Sequence, residues 1–203
     1  MEDPIDALCA RLHRALRGEH PLDPADVATL ACELLDRGND GPAVREAVER
    51  RPGDIPPAEL AGLVRELLAD SGFEPGFDLA PELLETLRQA LVPVLRDLRA
   101  HGLRDEARLI VQNGWFPPSA GVVLGDAWLH GGDLPASCGR DPATAAAAVA
   151  AHVQESLMER DRRVRPVCPA HRLGLHAVVA PSGTAVWACS ADGGHHVAAI
   201  GDL

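Results

Sequence analysis

The 203 residues carry a formal net charge of −11, and 46 % of them are hydrophobic against 24 % charged. That balance suits a globular chain and excludes wholesale disorder, while the excess of acid argues against a general binder of phosphate backbones. No apolar run approaches the ~20 residues of a membrane span.

The acid is concentrated early, with 20 acidic residues against 11 Arg in residues 1–100 and 10 against 8 in the remainder. Every one of the 19 basic residues is Arg, and Tyr is absent. With aromatic content at 3 %, the core must come from aliphatic helix packing. The five cysteines, Cys9, Cys32, Cys138, Cys168 and Cys189, are odd in number and scattered, which suits a reducing compartment. MEDPIDAL has neither a basic nor an apolar leader segment, so a cytoplasmic location is expected.

Helix signals recur from the start. Ile5, Leu8, Cys9, Leu12 and Leu16 fall on one stripe, with Pro4 at the first helical position and Gly18 as the stop. Cys9 lies on that stripe and is expected to be core. Asp23-Pro24 opens a second helix with Val27, Leu30, Ala31 and Leu34 on its inner face. Pro42 opens a third, short helix, and Pro56-Pro57 a fourth carrying Leu60, Leu63, Val64, Leu67 and Leu68. A fifth is predicted over 81–101, with Pro93 inside it as a kink, and a sixth over 104–112. Short loops between helices favour antiparallel packing, so residues 1–113 read as a helical bundle.

Residues 114–140 change character and read as a Gly/Pro-rich connector, with Trp115, Phe116 and Trp128 covering the bundle and 122–129 able to extend. Asp126, His130, Asp133 and Cys138 lie close together there, but no nucleophile or ligand spacing is present. Asp141-Pro142 then starts a long helix through about Arg163, with Val149, Val153 and Leu157 on its stripe and His152 beside it. Arg160, Arg162, Arg163, Arg165 and Arg172 make a local basic cluster around the first tail cysteine. A solvated helix end explains it; nucleic-acid binding is the sharper alternative.

The tail, CPAHRLGLHAVVAPSGTAVWAC, holds definite chemistry. Thiolate and imidazole are zinc ligands, and Cys168-x-x-His171 has the spacing of a metal knuckle. A hairpin follows, LHAVVA and AVWAC joined by PSGT. A two-residue Ser182-Gly183 turn places His176 opposite Cys189 and Val178 opposite Trp187. The preferred ligand set is therefore Cys168, His171, His176 and Cys189. His195 is the reserve ligand; Asp192 and His196 lie near enough to compete. A hairpin held by packing without metal is the plain alternative, and catalytic zinc would need an acid or base that nothing identifies.

The arrangement VAAHVQESLMER, CPAH, LH, AVWAC and VAAIG, over residues 143–201, resembles the C-terminal module of a group of actinobacterial-type proteins with a CPxH, H, AVWxC pattern. DVATLACELLDRGNDGPAVREAV is similar to a helical domain in such proteins. The resemblance implies a long helix followed by a zinc-ribbon-like hairpin, and brings no activity or substrate with it. Ala177 stands where that pattern often has Pro, and Ser190 where Pro often follows the last Cys.

The expected fold is thus mainly α: a helical bundle (1–113), a connector (114–140), and a long helix with a zinc-ribbon-like hairpin (141–203). The expected function is a non-enzymatic binding or adaptor protein that engages another protein, its tail stiffened by structural zinc. The alternatives are a nucleic-acid-binding regulator using Arg160–Arg172 and an enzyme using the 126–138 loop.

Overall fold

A computed structural model describes residues 4–112, 119–126 and 133–203. Trp115, Phe116, Trp128 and His130 lie outside these. The chain divides into two compact units, Met1–Pro75 and Gly76–Leu203.

The first unit is four helices, α1 (Pro4–Leu16), α2 (Pro24–Asp36), α3 (Pro42–Glu49) and α4 (Pro57–Asp70). Each begins on a proline, where a missing N–H costs nothing and the fixed φ is already helical. Asp23 caps α2 by accepting from the Ala25 N–H at 2.8 Å. The predicted stripes are the buried faces: Leu8, Cys9 and Leu12 meet Val27, Leu30, Leu34, Val44, Leu63, Val64 and Leu67 in one core. Arg11 adds a two-pronged contact to Asp26, at 2.7 and 3.2 Å, between α1 and α2.

The second unit contains α5 (Pro81–Ala100), β1 (Ala107–Gln112), β2 (Ser119–Leu124), β3 (Leu134–Pro135), α6 (Pro142–Asp161), β4 (His176–Val179), β5 (Ala185–Cys189) and β6 (His195–Ala199). Two antiparallel three-stranded sheets form, ordered β1-β2-β3 and β4-β5-β6. The chain is therefore six helices plus two small sheets among the described residues. The sixth helix expected over 104–112 is corrected: ARLIVQ is β1, paired with β2 from Ala107 opposite Leu124 to Gln112 opposite Ser119. Six residues are too few for periodicity to separate the two conformations, and β-branched Ile110 and Val111 favour the strand once a partner exists.

The connector is corrected in the same way. All six residues of β2 are buried, and Ala120, Val122, Leu124 and Leu134 enter the core with Leu87, Val94 and Leu98 of α5 and Val149, Val153 and Leu157 of α6. The alanine run of α6 serves close packing, with Ala145 and Ala150 fully buried. Asp141 caps that helix by accepting from the Thr144 N–H at 2.7 Å, and this bond holds its carboxyl below the usual range. α5 runs without a break through Pro93.

The 3-10 turn Ala136–Gly139 lies close against α5 at Gly139, where a Cβ would collide with the Leu83 carbonyl. Backbone cannot yield as a side-chain tip can. Gly139→Ala is expected to cost about 3 kcal/mol, at the upper end of overpacking effects, measured by urea unfolding; a change below about 1 kcal/mol would show that the turn moves freely. Among the described residues no helix is long and apolar enough to cross a membrane.

Candidate metal centre

The centre is built by three local devices in the second unit. The first is the knuckle. Val167 and Gly174 form an antiparallel bridge, the Cys168 N–H donates to the Leu173 carbonyl, and the Arg172 N–H donates to the Cys168 carbonyl, both at 2.8 Å. The chain between must reverse within four residues, and Arg172 does so with φ 56°. The result turns Cys168 and His171 to one side.

The second device is the hairpin turn. The Ala180 N–H donates to the Thr184 carbonyl at 2.9 Å, and the Gly183 N–H donates to the Ala180 carbonyl at 2.8 Å. The loop is thus the three residues Pro181-Ser182-Gly183, closed by Gly183 at φ 79°. One more loop residue moves the register by one. His176 faces Ala188, and Ala177, not Val178, faces Trp187. Side chains alternate across a sheet, so His176 points to the face opposite Cys189. The expected His176–Cys189 pair is corrected, and His176 is not among the clustered donors.

The third device is a β-bulge. β5 pairs with β6 through Trp187 and Ala198, then through Ala188 and His196, leaving Val197 as the extra residue. Without that insertion Cys189 would face His196; with it, Cys189 faces His195. The reserve ligand His195 takes the place expected for His176. The side chain of Asp192 lies outside those described.

Cys168, His171, Cys189 and His195 therefore converge, with one ligand atom from each and all four atoms within 4.8 Å of one another. Cys168 Sγ is 3.5 Å from His171 Nδ1 and 3.7 Å from His195 Nε2, and Cys189 Sγ is 3.7 Å from His171 Nδ1. A tetrahedral ion about 2.3 Å from sulfur and about 2.05 Å from nitrogen would set adjacent sulfur and nitrogen donors about 3.6 Å apart. These spacings fit it. The two imidazoles meet edge to face, with centroids 5.1 Å apart.

Both sulfurs are shielded, each cysteine being 1 % exposed. Burial pushes the Cys168 thiol up, but the backbone N–H and ring of His171, the Ala170 N–H and the Cys189 thiol outweigh it and bring the thiol down to about 6. The knuckle thus favours thiolate, the form that binds metal. The four residues can hold a metal ion.

Two further residues, unremarked in the sequence, hold the frame. Asp97 of α5 is fully buried and accepts from Trp187 Nε1 at 2.7 Å, the Gly201 N–H at 2.6 Å and the Leu203 N–H at 3.0 Å. It thereby ties β5 and the last residues to α5. Gln154 of α6 donates to the Arg165 and Leu175 carbonyls, at 3.1 and 2.6 Å, on either side of the knuckle. An acid three residues after Val94 on an apolar helix was the available signal for Asp97.

The other candidates do not assemble. Asp126 lies in the turn after β2, beside Glu106 and Gly125. Asp133 precedes β3 and Cys138 sits in the 3-10 turn after it, towards the opposite end of β2. Cys9 is core, 1 % exposed. His152 is buried, its Nε2 accepting from the Val122 N–H at 3.0 Å, so it links α6 to β2. Of the basic cluster, Arg160 pairs with Asp161 and Asp105, and Arg165 donates to the His101 carbonyl at 3.2 Å. No family model, curated protein or solved structure matches this chain, so the centre is read from its own geometry.

Proposed function

We propose that this protein is a non-enzymatic binding or adaptor protein of a reducing, cytoplasmic setting, whose C-terminal module is held by one structural zinc. The observation that carries the reading is the Cys168–His171–Cys189–His195 cluster, with donor spacings of 3.5–3.7 Å. Two thiolates and two imidazoles complete a tetrahedron and leave no position for substrate, which is the pattern of a structural site. The three-stranded sheet β4-β5-β6 is small, and a metal that draws two turns and two strands together offsets the entropy of ordering them. Cys168 and Cys189 share the core with Leu175 and Trp187, so the metal would fasten that core from its edge.

The test is elemental analysis joined to thermal unfolding. Protein purified without chelator is expected to carry one zinc per chain, and chelation to lower the thermal midpoint by about 10 °C or more. Metal-free protein, together with an unchanged midpoint in Cys168→Ser/Cys189→Ser, would overturn the reading.

A further inference from the structure

We infer that the groove between the C-terminal half of α6 and the start of β4 docks an acidic peptide segment of a partner protein through an aliphatic side chain. The inference rests on the adaptor reading above and names the partner's chemistry. The groove is a cavity of about 420 Å³, lined by Gln154, Glu155, Met158, Val164, Leu173 and His176, among others. That lies within the range of ligand pockets. Met158, Val164 and Leu173 are 44, 41 and 47 % exposed, so three of the large exposed hydrophobics share one concavity. Its floor is shaped by Gly174, where any Cβ would collide with the Val164 side chain.

Charge identifies the occupant. Arg163 precedes Val164 and Arg172 precedes Leu173, with Arg162 one residue further back. All three are exposed, and among the described residues none of their guanidinium groups makes a hydrogen bond or salt bridge, unlike those of Arg160 and Arg165. Residues 159–174 hold five Arg against two acids, a basic island on a chain of net charge −11. Arg162 and Arg172 stand at φ 54° and 56°, where glycine is the unstrained choice. Glu155 on the α6 wall repels carboxylates, so the acidic flank of a bound peptide runs towards Arg163 and Arg172.

A nucleic acid fits this surface less well. Single strands stack bases on exposed aromatic rings, and apart from the His176 imidazole the lining has none, Trp187 being fully buried.

The experiment selects a displayed library of random dodecapeptides on the full chain, then measures binding of the enriched peptides and of a labelled single-stranded oligonucleotide by fluorescence anisotropy. Enriched peptides are expected to share an aliphatic residue flanked by Asp or Glu. Their affinity is expected to fall at least tenfold in Met158→Ser/Leu173→Ser and in Arg163→Glu/Arg172→Glu, and to weaken with salt. No enrichment, non-acidic winners, binding that survives both variants, or preference for the oligonucleotide would each overturn the inference. Zinc content and thermal midpoint of the same samples keep the two proposals apart. Normal metal loading without peptide binding removes the groove alone; metal-free protein removes the structural-zinc reading whatever the groove does.

Discussion

His195→Ala is expected to lower zinc affinity by about 10² to 10³, while His176→Ala leaves it unchanged. Structural zinc sites hold their metal with about 10–16 kcal/mol, so an even share among four ligands is about 2.5–4 kcal/mol each. His195 is opposite Cys189 and its Nε2 lies 3.7 Å from Cys168 Sγ. His176 is opposite Ala188, on the other face, in the wall of the groove. The pair of variants therefore reads hairpin register directly, by competition with a chromophoric chelator. Equal losses in both would mean that the three-residue turn does not form. His196→Ala belongs beside them: retained affinity is expected, because the bulge at Val197 sends His196 to the opposite face from Cys189. Cobalt in place of zinc adds a second readout, since the number of thiolates and the tetrahedral geometry both appear in its visible spectrum.

Asp97→Ala is expected to cost about 4 kcal/mol and to lower the thermal midpoint of the second unit by roughly 10–15 °C. The substitution leaves three N–H donors, those of Trp187, Gly201 and Leu203, without their carboxylate. Hydrogen bonds to a charged group are worth about 1.5–3 kcal/mol each, and a buried donor left unpaired also loses its solvation. Asp97→Asn is expected to recover only part of this loss. One carboxylate oxygen serves both Trp187 and Gly201, and an amide must turn an NH₂ group towards one set of donors. Trp187 is two residues from Cys189 on the same face, so a loosened indole also slackens a ligand strand. A 10- to 100-fold loss of metal affinity should accompany the stability loss. A double-mutant cycle with Trp187→Phe separates the direct bond from the remainder. A midpoint within about 1 °C of the parent in Asp97→Ala would refute the anchoring role.

Arg96 and Pro93 show how far that anchor extends. Arg96 Nη1 donates to the Gly201 carbonyl at 3.0 Å, and a Cβ on Gly201 would lie 2.8 Å from Pro93 Cβ. The proline inside α5 thus provides a flat seat for the chain's final turn, at a position where the helix stays continuous. Gly201 has φ 107°, so no side chain is accommodated there on either ground.

Much of the helical architecture was legible because its causes are local. The prolines at positions 4, 24, 42, 57, 81 and 142 each open a helix, and the stripes of α1, α2 and α4 are the buried faces. A 3.6-residue period sustained over three or four turns leaves one conformation that buries it. The metal chemistry was legible for a similar reason. Cys168-x-x-His171 closes within a single turn, and Cys189 lies at the end of a strand that its own composition announces. Residues 107–112 were not legible as a strand, and 119–124 only in its second half, where the stretch from Val122 was able to extend, because each is short and becomes stable only through its partner and through the α5–α6 core beneath.

The last ligand lay between these cases. The sequence by itself narrowed the donors to a few residues in the tail and identified the knuckle. Only the tertiary structure decided between His176, His195 and His196, through one extra residue in the loop at Pro181–Gly183 and one extra residue in β6 at Val197. Side-chain direction along a strand has a period of two residues, so a shift of one inverts the answer. Such shifts are set by turn closure and by how β5 is held against α5 through Asp97, which no window of neighbouring residues contains.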